Sequence, residues 1–234
     1  MLKYANKHDI PVPLVSTINP IWGKGKRILA WRISEHAFGK KNADAKKTKK
    51  LCNLLFPELK GYPIRRDYHA VHKSGVRSLS KIRLIVLHDM ENTDRDDAAE
   101  NTGSWFENRA SGGSTHYGVD NDSIQSYLAD NVICWGAPHA NLDGIHIEQM
   151  GKASWSTAEW LKNADGTLKR TAWLMRKLSK RLNVPLVLLS DSEVRAGKKG
   201  VVTHAQISRI YGGTHTDPGR GYPLSYVMKL ARSH

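Results

Sequence analysis

Cysteine is scarce in this chain: Cys52 and Cys134 are the only two in 234 residues. They are too few for a disulfide scaffold, and neither stands in a C-x-x-C metal pair, so both read as buried or free thiols. No stretch approaches the ~20 apolar residues that a membrane-spanning helix requires. The opening Met1-Leu-Lys-Tyr-Ala-Asn-Lys-His lacks the apolar core of a secretory signal, and the expectation is a product made in the cytoplasm. Internal repeats and low-complexity tracts are also missing, which excludes solenoids and fibrous arrays.

Acidic residues are short in the first third. Residues 1–80 hold 17 Lys and Arg against 5 Asp and Glu, an excess of +12, whereas residues 81–234 carry only the remaining +2 of the total +14. Such a field favours an anionic partner. No aromatic-interleaved basic motif accompanies it, so nucleic acid is not the expected partner. Within this third, Lys40 to Lys50 followed by Leu51, Leu54, Leu55 and Phe56 reads as a basic amphipathic helix, either an ordinary surface helix or a binding surface.

The remaining composition, 40% hydrophobic and 25% charged, is that of a globular protein, and the length suits one large core with an appendage. Texture changes at Ser78-Leu-Ser-Lys-Ile-Arg-Leu-Ile-Val-Leu-His, from Lys-rich and Pro-punctuated to densely apolar. This places a basic N-terminal region at 1–78 and a main domain at 79–234. Strand patterns fall at 82–88, 115–120, 123–129, 144–150 and 200–204, and helical ones at 97–109, 156–162, 171–183 and 224–232. Their alternation predicts an α/β fold. In the helix over 171–183, Ala172, Met175, Leu178 and Leu182 share one face; Pro185 stops it, and Leu186 to Leu189 begin another element.

Chemistry concentrates at the ends of the apolar runs. His88 closes Ile82-Arg-Leu-Ile-Val-Leu-His, and His204 closes Val201-Val-Thr-His; strand carboxyl ends are where open α/β sheets bind ligands. After a Gly-containing loop, Asp217 precedes a Pro-Gly turn that directs its carboxylate, as a metal ligand or as a turn cap. His88, His204 and Asp217 make a zinc triad of N and O donors that leaves a fourth position for water. In Ile145-His-Ile-Glu, alternation buries the isoleucines and projects His146 and Glu148 from the other face, toward the metal or toward solvent. Facing the metal, Glu148 is placed to act as a general base.

The joint order His88, Ser114-Thr-His-Tyr-Gly-Val-Asp-Asn-Asp, Cys134-Trp-Gly-Ala-Pro-His-Ala-Asn, Ile145-His-Ile-Glu, His204 and His215-Thr-Asp-Pro-Gly resembles the zinc N-acetylmuramoyl-L-alanine amidases. That family includes the peptidoglycan recognition proteins. The resemblance covers about residues 80–232 and implies their fold, a mixed central β-sheet flanked by helices, and Zn2+ held by His88, His204 and Asp217. It also implies Glu148 as catalytic acid–base, and His215, where many members carry lysine, as stabiliser of the oxyanion. Two positions depart from the pattern: Gly136 replaces the histidine of an Ala-Trp-His-Ala motif, and His146 replaces a glycine. Expected substrate contacts are His116, His139, Asn141 and His146, while Tyr117 and Trp105, Trp155, Trp160 and Trp173 are expected to pack.

The resemblance thus implies a hydrolase of the bond between N-acetylmuramic acid and the L-alanine of the peptidoglycan stem peptide. The basic first third then suits an anionic cell envelope, and the combination resembles a phage endolysin, made in the host cytoplasm and acting on the wall after release. A bacterial wall-recycling or autolytic enzyme is the other origin open to such a chain, and the alternative function is a non-catalytic peptidoglycan-binding module.

Overall fold

In the computed structural model the apolar run Leu84–Leu87 forms β1, with every residue buried. A strand covered on both faces is apolar at each position, and β1 is flanked accordingly. On one side it pairs in parallel with β4 (Gly144–Gln149), on the other with β5 (Gly200–Thr203). Strand β2 (Tyr117–Val119) runs parallel along the far side of β4, and β3 (Ile124–Ser126) closes the sheet antiparallel to β2. The order is β3-β2-β4-β1-β5, a mixed sheet as the family resemblance implies.

The structure describes residues 62–233; the amphipathic Lys40–Lys50 stretch and Cys52 lie outside the described residues. Tyr62–Arg232 form one compact unit. Six helices are described in it: α1 (Ala98–Glu107), α2 (Thr157–Asn163), α3 (Asp165–Leu182), α4 (Asp191–Arg195), α5 (His204–Tyr211) and α6 (Leu224–Arg232). On one face Leu84, Val86 and Val202 pack against Ile207 and Ile210 of α5 and Val194 of α4. Helix α3 packs on β2 and β4, and α6 covers α3. Among the described residues no helix is long and apolar enough to cross a membrane.

Local chemistry sets the helix ends. Ser156 and Glu159 form a capping box at the start of α2, and Ser190 and Glu193 form another at α4. Helix α3 buries the Ala172, Met175, Leu178 and Leu182 face but begins at Asp165, a turn and a half before the expected start. Helix α5 occupies a stretch read as loop. Thr203 ends β5 and its Oγ1 accepts the Gln206 N–H at 3.2 Å, so the chain turns from strand to helix with no intervening loop.

Residues upstream of 78 belong to the packing. Arg65 exchanges backbone hydrogen bonds with Ile124 and Ser126, at 2.9 and 2.8 Å, which covers the edge of β3. Ala70 joins Phe106, Tyr127, Leu128 and Cys134 in a buried cluster. Cys134 is a free, buried thiol, and burial pushes its pKa up to about 12. Thr203→Ala removes the cap of α5 and is expected to lower stability by about 1–2 kcal/mol in chemical denaturation, with the fold retained.

Candidate metal centre and cleft

Strand register brings the site together. Leu87 is paired with Ile147 of β4 and with Thr203 of β5, so the next residues, His88, Glu148 and His204, emerge side by side at the carboxyl end of the sheet. Asp217 reaches them from the loop between α5 and α6, anchored where its carbonyl accepts the Ala205 N–H at 2.9 Å. The following turn needs glycine: Gly219 has φ +87, and a Cβ there would lie 2.0 Å from the Ala153 carbonyl oxygen.

His88 Nδ1 lies 3.1 Å from Asp217 Oδ2, and His204 Nδ1 lies 3.1 Å from Asp217 Oδ1. Ligand atoms of the three residues are all within 4.8 Å of one another. Burial lowers the His88 pKa, against the pull of Asp217. At Asp217 burial works to raise the pKa, but the neighbouring His204 and His88 prevail and hold it well below the carboxylate range. A neutral imidazole and an ionised carboxylate are the protonation states that a metal demands. Two imidazoles and one carboxylate fit zinc, with room for a fourth ligand.

Glu148 Oε1 lies 4.0 Å from His88 Nδ1. Its Oε2 is buried without a hydrogen-bond partner. Burial, then the nearby charges of Asp217 and Asp89, raise its pKa well above the carboxylate range. Asp89, whose Oδ2 is likewise unpartnered, is raised by burial to about 7. These groups line a cavity of about 770 Å³ whose opposite wall includes Ser114, Thr115 and Trp135. Trp135 stacks on His72, centroids 4.9 Å apart. A neighbouring groove of about 410 Å³ shares Asp89, Glu91 and Glu148 and is lined by the exposed Trp105.

The sequence-derived residues separate into two groups. His88, His204, Asp217, Glu148 and His215 meet at the cavity, with the exposed His215 ring stacked on His204 at 4.0 Å. His116 and His146, expected at the substrate, are wholly buried and not on its wall: Gly136 and Ala140 cover the His146 ring on β4, and His116, just before β2, is bonded to Val132 and to the His146 backbone. His146 instead contacts His88, Nδ1 to Nε2 at 2.9 Å. His139, exposed at φ 70, stacks on Tyr211 away from the cavity. Asn141 reaches the wall, but its Oδ1 accepts the Gly136 and Ala137 N–H groups and so shapes the loop. Tyr117 packs, its hydroxyl donating to Asp130 at 2.6 Å. Trp160 is buried, and Trp155 packs against it edge-on. Sequence reading passed over Asp89, which directly follows His88, and His72 and Trp135, whose pairing across 63 positions leaves no local signal.

A buried carboxylate beside three candidate metal donors is an arrangement that can serve hydrolysis. Residues 78–220 match the family model described as N-acetylmuramoyl-L-alanine amidase, and the chain belongs to that family. Among solved structures it is similar to the Staphylococcus aureus hydrolase AmiA in complex with its ligand, with a TM-score of 0.57 and 21% identity over 81% of this chain and 90% of that one. It is also similar to PlyL, with a TM-score of 0.52 and 16% identity over 74% of this chain and 99% of that one. Both likenesses concern the fold. No curated protein matches the chain.

Titrating the metal-free protein with zinc is expected to show one tight site and a rise in Tm. His204→Ala should weaken that site by about 100-fold or more, as read by chelator competition.

Proposed function

We propose that the chain hydrolyses the amide joining the lactyl group of N-acetylmuramic acid to the L-alanine of the peptidoglycan stem peptide, with one zinc ion held by His88, His204 and Asp217. Family membership supports the bond. The observation that carries the mechanism is the convergence of three donors within 4.8 Å beside a carboxylate with a free oxygen.

When bound, zinc supplies Lewis acidity, polarising the amide carbonyl and making water acidic near neutral pH. Glu148 takes the proton of the attacking water and delivers it to the leaving nitrogen. Burial and the charges of Asp217 and Asp89 raise its pKa, which makes the carboxylate a stronger base toward the water. His215, exposed beside the triad, donates an N–H to the substrate oxygen as charge develops there. Trp135 and Trp105 offer ring faces to sugar or peptide on either side. The products are a glycan strand and a stem peptide with a new L-alanine amino terminus.

The same reading makes the protein a phage endolysin, made in the host cytoplasm and acting on the wall after release, with its basic N-terminal region concentrating it on an anionic envelope. The charge excess of the first third supports that targeting role.

Release of new L-alanine amino termini from purified peptidoglycan tests the reaction. Release should stop with chelator, return with zinc, and fall by about 10²–10⁴-fold in Glu148→Ala. Tight wall binding by zinc-loaded protein with no new amino termini would replace the amidase with a recognition module. His215→Ala should lower kcat by about 10²-fold with zinc still bound. Removing residues 1–61 should reduce wall binding at low salt and flatten its salt dependence, in a pelleting assay across ionic strengths.

A further inference from the structure

Resting on the zinc reading above, we infer that His146 is a positioning residue for the metal centre: it fixes the His88 tautomer so that Nδ1 is the nitrogen offered to the cation. The hydrogen bonds allow one assignment. His146 Nε2 lies 3.2 Å from the Ala140 carbonyl oxygen, which only accepts, so Nε2 carries the hydrogen. A neutral imidazole has one N–H, and His146 Nδ1 is therefore a bare acceptor. It faces His88 Nε2 at 2.9 Å, which must then be protonated. That leaves His88 Nδ1 bare, 3.1 Å from Asp217 Oδ2. Two lone-pair atoms facing each other repel, and a cation seated with both removes the repulsion.

The device is built into the fold. The His146 backbone N–H donates to His116 Nδ1 at 3.1 Å, and His116 Nε2 donates in turn to the Val132 carbonyl at 3.0 Å. The Arg77 guanidinium beside His116 Nε2, 3.1 Å away, disfavours further positive charge there. Two glycines make room for the His146 ring. A Cβ at Gly136 would fall 2.6 Å from His146 Nδ1, and one at Gly144 would fall 2.8 Å from Nε2. The imidazole thus occupies a slot that no other residue at either position leaves open, with a neighbour for each ring nitrogen. Metal-bound histidines commonly hand their second N–H to a carboxylate or carbonyl; here a second imidazole receives it.

Zinc affinity by chelator competition, together with the Tm of the metal-free protein, tests this in wild type, His146→Asn and His146→Ala. Asparagine places an acceptor oxygen near the position of Nδ1, and alanine places none. We expect His146→Ala to bind zinc about 10–100-fold more weakly and His146→Asn to stay within about threefold of wild type. Wild-type affinity in a folded His146→Ala, or equal losses in both variants at unchanged Tm, overturns the inference. Imidazole ¹⁵N spectra of zinc-loaded wild type decide the matter without a substitution: metal on His88 Nδ1 with Nε2 protonated supports it, and metal on Nε2 overturns it. Wild type that binds no zinc at all refutes the zinc reading itself, which separates that failure from this one.

Discussion

Three carboxylates, Asp89, Glu148 and Asp217, crowd the carboxyl end of the sheet, and the burial of their charge is the constraint that the cleft is arranged around. Desolvation acts on all three, yet only Asp217 is held ionised, because His88 and His204 surround it. Glu148 and Asp89 have no such partners and are driven toward the neutral form. The site therefore holds one carboxylate ionised and drives two toward the neutral form by environment alone. A divalent cation bound by the triad would offset the repulsion among them and so tie metal binding to carboxylate ionisation.

Everything behind the cleft keeps this arrangement in place. Parallel register of β4, β1 and β5 sets the lateral spacing, and the Thr203 cap turns His204 into the first residue of a helix rather than the end of a loop. Behind His88, two further buried histidines connect the site to backbone carbonyls, so the imidazole that meets the cavity is oriented from inside the core. The opposite wall borrows from the segment before residue 78: His72 stacks on Trp135, and Ser114 donates to the His72 carbonyl at 2.6 Å. The cleft is lined by residues within the 78–220 of the family match, and His72 supports its wall from outside that range.

Much of this was legible in advance for a physical reason. The run Leu84–Leu87 is apolar throughout because both its faces are covered, and such a run announces an interior strand. Helix α6 was read with its observed bounds, Leu224–Arg232, from its periodicity. Helix α4 and the first turn of α3 were missed: α4 is a five-residue helix set by its Ser190–Glu193 capping box rather than by an apolar stripe, and α3 starts at Asp165 with no side-chain cap.

The sequence by itself determined the alternation of strands and helices, the ends of the apolar runs where His88 and His204 stand, and the kinds of donor available to a metal. Only the tertiary structure decided which histidines meet the cavity. Alternation along Ile145-His-Ile-Glu tells which side chains share a face, but it carries no information about what covers that face. Loop residues Gly136 to Ala140 cover it at His146 and leave the cleft open at Glu148. Two neighbours on one face of β4 thereby became a buried hydrogen-bond partner and a carboxylate at the cavity.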